Sequence, residues 1–323
     1  MKRIGILTSG GDAPGMNACI RAAVYTAVAE GVEILGIRRG YAGLINNEMT
    51  PLDKKAVANI IYLGGTILGT ARSAEFMTKQ GRAKAIRNLN EAGIEGLIVI
   101  GGDGTFRGAT ELERECNVAI IGVPGTIDND VYGTDYSIGF DTAINCALNA
   151  IDRIRDTALS LERLFFVEVM GHHTGFIALE TAIAGGAQEL LIPEYPVSLD
   201  ELCSHLEKTF REEEKKSAIV VVAEREQPGY SFSIAKEVKN RLGLDSRVCV
   251  LGHIQRGGSP TARDRVLASK LGSAAVKGLL AGKSGYMVGE VNWQIVYTPL
   301  HCTWEKDKKL NAELVEVARL LCT

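Results

Sequence analysis

Short, largely apolar runs recur at 4–7, 97–100, 119–123, 164–169 and 218–223, most of them followed closely by glycine or small polar residues. Between them lie stretches with helical spacing of apolar side chains, such as 17–30 and 82–92. A strand that is apolar on both faces must be covered on both, so the pattern predicts parallel sheets flanked by helices. At 323 residues the chain exceeds what one hydrophobic core usually supports. We therefore read it as an α/β protein of two Rossmann-like lobes, with mainly parallel sheets and an active site expected in the cleft between them. The larger lobe is expected over 1–138 plus about 251–300, and the smaller over 139–250 plus about 301–323. The spacing predicts a long helix over 141–156, a further strand over 248–254 and a helix over 262–280. The charged stretch 207–216 reads as a solvated helix face.

Composition narrows the function. A formal net charge of −3 with scattered basic residues leaves no electrostatic footprint for nucleic acid or an anionic membrane. The seven cysteines are dispersed and never spaced Cys-x-x-Cys, which fits reduced thiols and a cytoplasmic location. The N-terminus carries no secretory core and no stretch approaches a membrane span. A small molecule is the expected partner.

In open α/β sheets ligands collect at the carboxyl ends of strands, and the informative segments lie there. Ser9-Gly10-Gly11-Asp12-Ala13-Pro14-Gly15 joins a strand to a helix, where glycines admit close backbone approach and helix amides attract anions. Gly101-Gly102-Asp103-Gly104-Thr105 sets one carboxylate among glycines whose amides can cradle phosphate while the acid attracts magnesium. In Gly125-Thr126-Ile127-Asp128-Asn129-Asp130, one carboxylate can support a metal while another takes a proton from a hydroxyl. Residues 64–73 form another glycine-rich approach, ending in Arg72, which can neutralise charge on a transferring phosphoryl group. His253 and Arg256, in a turn after an apolar run, suit an anionic substrate. Each segment alone also reads as a turn or a helix cap.

Together and in this order the motifs closely resemble those of the bacterial-type phosphofructokinases, from Lys2 to about Leu280. The resemblance implies an ATP-dependent kinase of glycolysis, which moves the γ-phosphoryl group of ATP to the 1-hydroxyl of fructose 6-phosphate. It implies Asp128 as the general base, with Arg72 and Thr126 at the reacting groups. The implied nucleotide contacts are Gly11, Arg72, Ser73, Gly102, Asp103, Gly104 and Thr105, with Mg²⁺ associated with Asp103 and Asp130. For the sugar phosphate it implies Thr126, Asp128, Met170, Gly171, His172, Glu224, His253 and Arg256, with Arg163 and Arg247 reaching in from a neighbouring subunit of a homotetramer. Pyrophosphate-using members resembling this chain carry an aspartate and a lysine where Gly104 and Gly125 stand, and a bulky side chain at either would occupy space that ATP needs. Two other readings are a pyrophosphate-dependent enzyme and a catalytically weak, nucleotide-binding regulatory paralogue.

The chain departs from that pattern in two places. The usual Met-Gly-Arg appears as Met170-Gly171-His172, exchanging an always-charged fork for an imidazole. A metal pair at His172 and His173 is disfavoured if both lie on a strand, where neighbours point to opposite faces. At the family's effector site the matching positions are Arg21, Tyr25, Lys54, Arg155, Gln188 and Lys215. Tyr25 and Lys54 replace arginines and Gln188 an acid, which implies altered allostery. The stretch beyond Gly289 reads as a capping segment.

Overall fold

The computed structural model describes residues 1–212, 216–225 and 228–322. The chain divides into two compact units. One comprises Met1–Ile127, Val131–Thr142 and Arg256–Lys308; the other comprises Asp128–Asp130, Ala143–Gln255 and Lys309–Thr323. Relative to the sequence boundaries, residues 139–142 and 301–308 fall in the larger unit and 128–130 and 251–255 in the smaller.

The elements of the larger unit are β1 (Arg3–Thr8), α1 (Met16–Ala29), β2 (Glu33–Ile37), α2 (Gly40–Ile45), β3 (Met49–Leu52), α3 (Lys79–Glu91), β4 (Gly96–Gly101), α4 (Asp103–Glu115) and β5 (Ala119–Pro124). Helix α5 (Phe140–Leu161) leads into the smaller unit, built from β6 (Leu164–Val169), α6 (Phe176–Gly185), β7 (Glu189–Leu191), α7 (Leu199–Glu207), β8 (Ala218–Ala223), α8 (Tyr230–Leu242) and β9 (Ser246–Val250). The chain returns to the larger unit with α9 (Ala262–Leu280), β10 (Tyr286–Val291), β11 (Gln294–Pro299) and α10 (Cys302–Glu305), and ends in α11 (Ala312–Leu321) on the smaller.

The larger sheet has the order β11-β10-β5-β4-β1-β2-β3, parallel from β10 to β2 with an antiparallel strand at each edge. Leu7, Leu97 and Val99 face a core with Tyr41, Leu89 and Phe106. Their neighbours Ile6, Ile98 and Ile100, also fully buried, face the other way. On that side α1 packs along α9, close enough that a Cβ on Gly272 would stand 2.4 Å from the Cys19 carbonyl oxygen. The smaller sheet is all parallel, β7-β8-β6-β9. Phe166, Val220 and Val222 pack on Leu202 and Leu206 of α7 and Val238 of α8.

Two local expectations change. The strand expected over 248–254 stops at Val250, because the turn at Gly252 takes φ +56° and a helical turn follows through Arg256. The stretch beyond Gly289 is no cap: it completes β10 and supplies β11, an edge hairpin turned by Asn292 and Trp293, both at positive φ. The charged stretch from 207 stays helical through Glu212; residues 213–215, Lys215 among them, lie outside the described residues. All seven cysteines are unpaired thiols. Among the described residues no helix is long and apolar enough to cross a membrane.

Asp264 holds the start of α5. It is 1% exposed, and it accepts hydrogen bonds from the Gly139 and Thr142 amides at 2.9 and 2.8 Å and from the Thr142 hydroxyl at 2.5 Å. Burial pushes its carboxyl up to about 6, although the three donors pull it down. An acid raised on folding keeps its proton in the native chain after losing it in the unfolded one. Its contribution is therefore full below about pH 4 and lost as pH rises through about 6. In paired urea titrations, Asp264→Asn should lose less stability relative to wild type at pH 7 than at pH 4.5, the gap narrowing by about 2 kcal/mol.

Candidate active site

Four loops of the larger unit meet at the carboxyl ends of β1, β4 and β5. Register places Thr8 beside Ile100 and Gly101 beside Pro124, so the loop after each strand starts level with its neighbours. Main-chain bonds extend the alignment: the Ser9 amide donates to the Ile100 carbonyl and the Gly125 amide to the Gly101 carbonyl, both at 3.0 Å. Thr105 Oγ1 then donates to the Ser9 carbonyl at 3.0 Å, tying the first turn of α4 to the first loop. The fourth loop is anchored from below by Thr8 Oγ1, donating to the Gly69 carbonyl at 2.9 Å, and from above by Thr70 Oγ1, donating to the Gly10 carbonyl at 2.7 Å. That leaves Arg72 exposed and Ser73 half-buried, Ser73 Oγ accepting from the Phe76 amide.

The glycines differ in what they do. A Cβ on Gly11 would lie 2.6 Å from Arg256 Nη1, so the missing side chain is where that guanidinium rests, 3.4 Å from the Asp12 carbonyl oxygen. Gly102 faces Thr126, its Cβ position 3.8 Å from that of Thr126. At Gly104 a side chain would meet nothing within 4 Å. Packing does not require glycine there, and open space lies over the first turn of α4, where helix amides favour anions. Gly125 is the reverse: its Cβ would stand 2.9 Å from Ile100 Cγ2 and 3.1 Å from Met16 Cε. Glycine at 125 is therefore explained by core packing, and of the two positions only Gly104 bears on donor size.

In the smaller unit, Met170, Gly171 and His172 follow β6 and Glu224 follows β8. The Glu224 amide donates to the Val169 carbonyl at 2.9 Å, and its Oε1 accepts from the His172 amide at 3.3 Å. Burial raises the Glu224 carboxyl, the His172 and Gly171 amides pull it down, and the neighbouring charge of Asp128 raises it again. Asp128 and Glu224 thus form one acidic group. His172 sits in a turn at φ +58° rather than on a strand, so its ring lies 4.0 Å from that of His173, centroid to centroid. The opposite-faces objection to this pair falls away. Even so, no group of three or more metal-ligating side chains occurs among the described residues.

Sequence reasoning missed Gln255. Fully buried, it accepts from the Met170 amide at 2.7 Å and donates to the Ala143 carbonyl at 3.3 Å, fixing the loop that carries Met170 and His172. Its place beside His253 and Arg256 was the available signal. Glu168 was missed too: 1% exposed, it accepts from the Gly229 and Ser231 amides and the Ser231 hydroxyl.

Arg163 and Arg247 lie at the amino ends of β6 and β9, both paired with Asp245, at 3.4 and 3.1 Å. They stand a whole strand away from Met170 and Glu224. Of the expected effector positions, Arg21 stacks on the Tyr25 ring at 4.3 Å with Lys54 at 5.4 Å on the same ring. In the other unit Arg155 and Gln188 both donate to the Gly186 carbonyl, at 2.9 and 3.2 Å. Gln188 Oε1 also accepts from the Ile219 amide, a pairing of donor and acceptor that an ionised acid cannot make.

The sequence model of the phosphofructokinase family matches residues 3–279. The chain is 60% identical over 321 residues to the ATP-dependent 6-phosphofructokinase 1 of Thermus thermophilus, covering 99% of each. It is 51% identical to the ATP-dependent 6-phosphofructokinase of Cytophaga hutchinsonii, covering 99% of this chain and 98% of that one. Among solved structures it is similar to the Pichia pastoris phosphofructokinase in the T-state, with TM-score 0.88 and 37% identity over 94% of this chain and 35% of that one. It shares the fold of the pyrophosphate-dependent phosphofructokinase of Marinobacter aquaeolei, with TM-score 0.85 at 23% identity over 100% of this chain and 92% of that one.

The contrast between the two glycines is measurable by thermal unfolding. Gly104→Asp should leave stability within about 0.5 kcal/mol of wild type, whereas Gly125→Ala should cost about 1–3 kcal/mol through overpacking.

Proposed function

The chain belongs to the phosphofructokinase family, and from that premise we propose how its residues move the γ-phosphoryl group of ATP to the 1-hydroxyl of fructose 6-phosphate. The overall activity is that of an ATP-dependent 6-phosphofructokinase, a glycolytic kinase. The observation that carries the residue-level reading is the open first turn of α4. Gly102 and Gly104 lead into it, and the space over Gly104 is unobstructed.

The loops after β1, β4 and β5, with Arg72 and Ser73, take the donor. Amides of residues 102–105 and the α4 dipole hold the terminal phosphates, Gly11 and Ser73 border the nucleotide, and Arg72 meets the charge that develops on the transferred group. The carboxylates of Asp103 and Asp130 suit Mg²⁺, which takes one or two carboxylates and completes its shell with phosphate oxygens and water. When bound, that ion supplies charge neutralisation at the phosphates.

The acceptor falls to the residues after β6 and β8, with Thr126, Asp128, His253 and Arg256. Asp128 accepts the proton of the 1-hydroxyl as that oxygen attacks phosphorus, and its charge raises the nearby Glu224 carboxyl. Glu224 also accepts hydrogen bonds from sugar hydroxyls, with Met170 and Gly171 held by Gln255 at the sugar. Thr126, His253 and Arg256 complete the contacts to the sugar phosphate. Arg163 and Arg247 lie at the amino ends of their strands, which supports their reaching the substrate of a neighbouring subunit in a homotetramer. In the effector role, Tyr25 between two cations and Gln188 in place of an acid support weaker recognition of ADP or phosphoenolpyruvate.

Coupled assay of fructose 1,6-bisphosphate should show turnover with ATP and at most traces with pyrophosphate. Asp128→Asn should lower kcat by about 10²–10⁴ with little change in fructose 6-phosphate affinity; lost affinity at unchanged kcat would remove Asp128 from the role of base. His172, standing where the family has arginine, should help only when protonated. His172→Arg should then flatten the fall of kcat between about pH 6 and 9, and an unaltered profile would show that the imidazole plays no part in the rate.

A further inference from the structure

The smaller unit contains a cavity of about 160 Å³ beneath helix α11. We propose that it binds a small flat apolar molecule bearing a cationic nitrogen, such as an aryl amidine or an arylalkylamine, with the nitrogen held by Glu189. The walls are Leu179 of α6, Leu190 of β7 and Val315 and Ala318 of α11, and the volume takes about one six-membered ring. Into this apolar space the fold sets one acid. Glu189 is 3% exposed; its Oε1 lies 2.9 Å from His205 Nδ1, while Oε2 has no hydrogen-bond donor among the described residues. Glu189 lines the cavity, and a ligand N–H is the group that would bond this oxygen.

Charge selects the sign of the ligand. A cation stabilises the ionised form of Glu189 and can displace its proton, whereas a carboxylate ligand would disfavour ionisation and gain no charge attraction from the neutral acid. The titratable groups around Glu189 are His205 of α7, Cys322 just after α11, and Tyr195 and Arg319 at the cavity. Burial keeps the Cys322 thiol protonated, up to about 11. Arg319 is exposed, with its guanidinium 5.0 Å from the Tyr195 ring, so solvent screens its charge. Burial pushes the Glu189 carboxyl up to about 8, so near neutrality it holds a proton that a bound cation displaces. None of these residues belongs to the sites assigned above.

The test is calorimetry of benzamidine with the full chain at pH 7, in phosphate and in Tris, whose ionisation heats differ. One-to-one binding with release of nearly one proton is expected. Benzyl alcohol, a neutral probe of similar shape, should bind at least tenfold more weakly. Glu189→Gln should weaken benzamidine at least tenfold and abolish proton release, and Ala318→Phe, which fills the cavity from α11, should abolish binding with kinase activity intact. The proposal is overturned by equal affinity for the two probes, by unchanged binding in either variant, by displacement of benzamidine with ATP or fructose 6-phosphate, or by no binding at millimolar probe. If Glu189→Gln does not fold, Ala318→Phe decides the matter alone.

Discussion

Parallel pairing of β4 with β1 on one side and β5 on the other is the constraint on which the rest of the larger unit depends. Once Thr8 is level with Ile100 and Gly101 with Pro124, three loops must begin at one height, and their first amides and carbonyls bond across the strand ends. A parallel sheet is stable only when both faces are covered. Here α1 and α9 cover one face and α2, α3 and α4 the other. The apolar strands that make the core therefore also aim the polar loops, and core and donor site share one cause.

The smaller unit adds buried polar side chains to shared strand height, since Val169 is level with Ala223 and the Glu224 amide bonds the Val169 carbonyl. Gln255 and Glu168 are both nearly inaccessible, and both spend their polar atoms on main-chain groups of loops. Such groups are costly to bury unless fully bonded, so each fixes one arrangement of its loop. That rigidity matters where a proton must leave a hydroxyl, because a base works only within hydrogen-bond reach. In the same unit the Asp128 charge reaches the Glu224 carboxyl.

Much of this was legible in the chain itself. The central strands β4, β5 and β8 were readable because burial on both faces writes an unbroken apolar run, β6 because only the buried Glu168 interrupts its run, and α9 because its periodicity and its Thr261 cap agree. Edge strands β3 and β11 were not, since one-sided burial leaves a mixed pattern: the four residues of β3 are all partly or fully exposed. The loops of the site were legible as glycine and acid patterns. The meaning of individual glycines was not: Gly104 and Gly125 look alike in sequence, yet only one faces open space. The placement of His172 was hidden for a related reason, because a turn at positive φ in a non-glycine residue leaves little local signature. Gln255 carries a single polar letter whose importance arises from contacts 85 and 112 residues away.

A crystal structure of the chain with a non-hydrolysable ATP analogue and fructose 6-phosphate tests the central claim most directly. The account predicts the terminal phosphates on the main-chain amides of residues 102–105 and the sugar 1-hydroxyl within about 3 Å of an Asp128 carboxylate oxygen. Phosphates bound away from the start of α4, or a 1-hydroxyl beyond hydrogen-bond reach of Asp128, would contradict it.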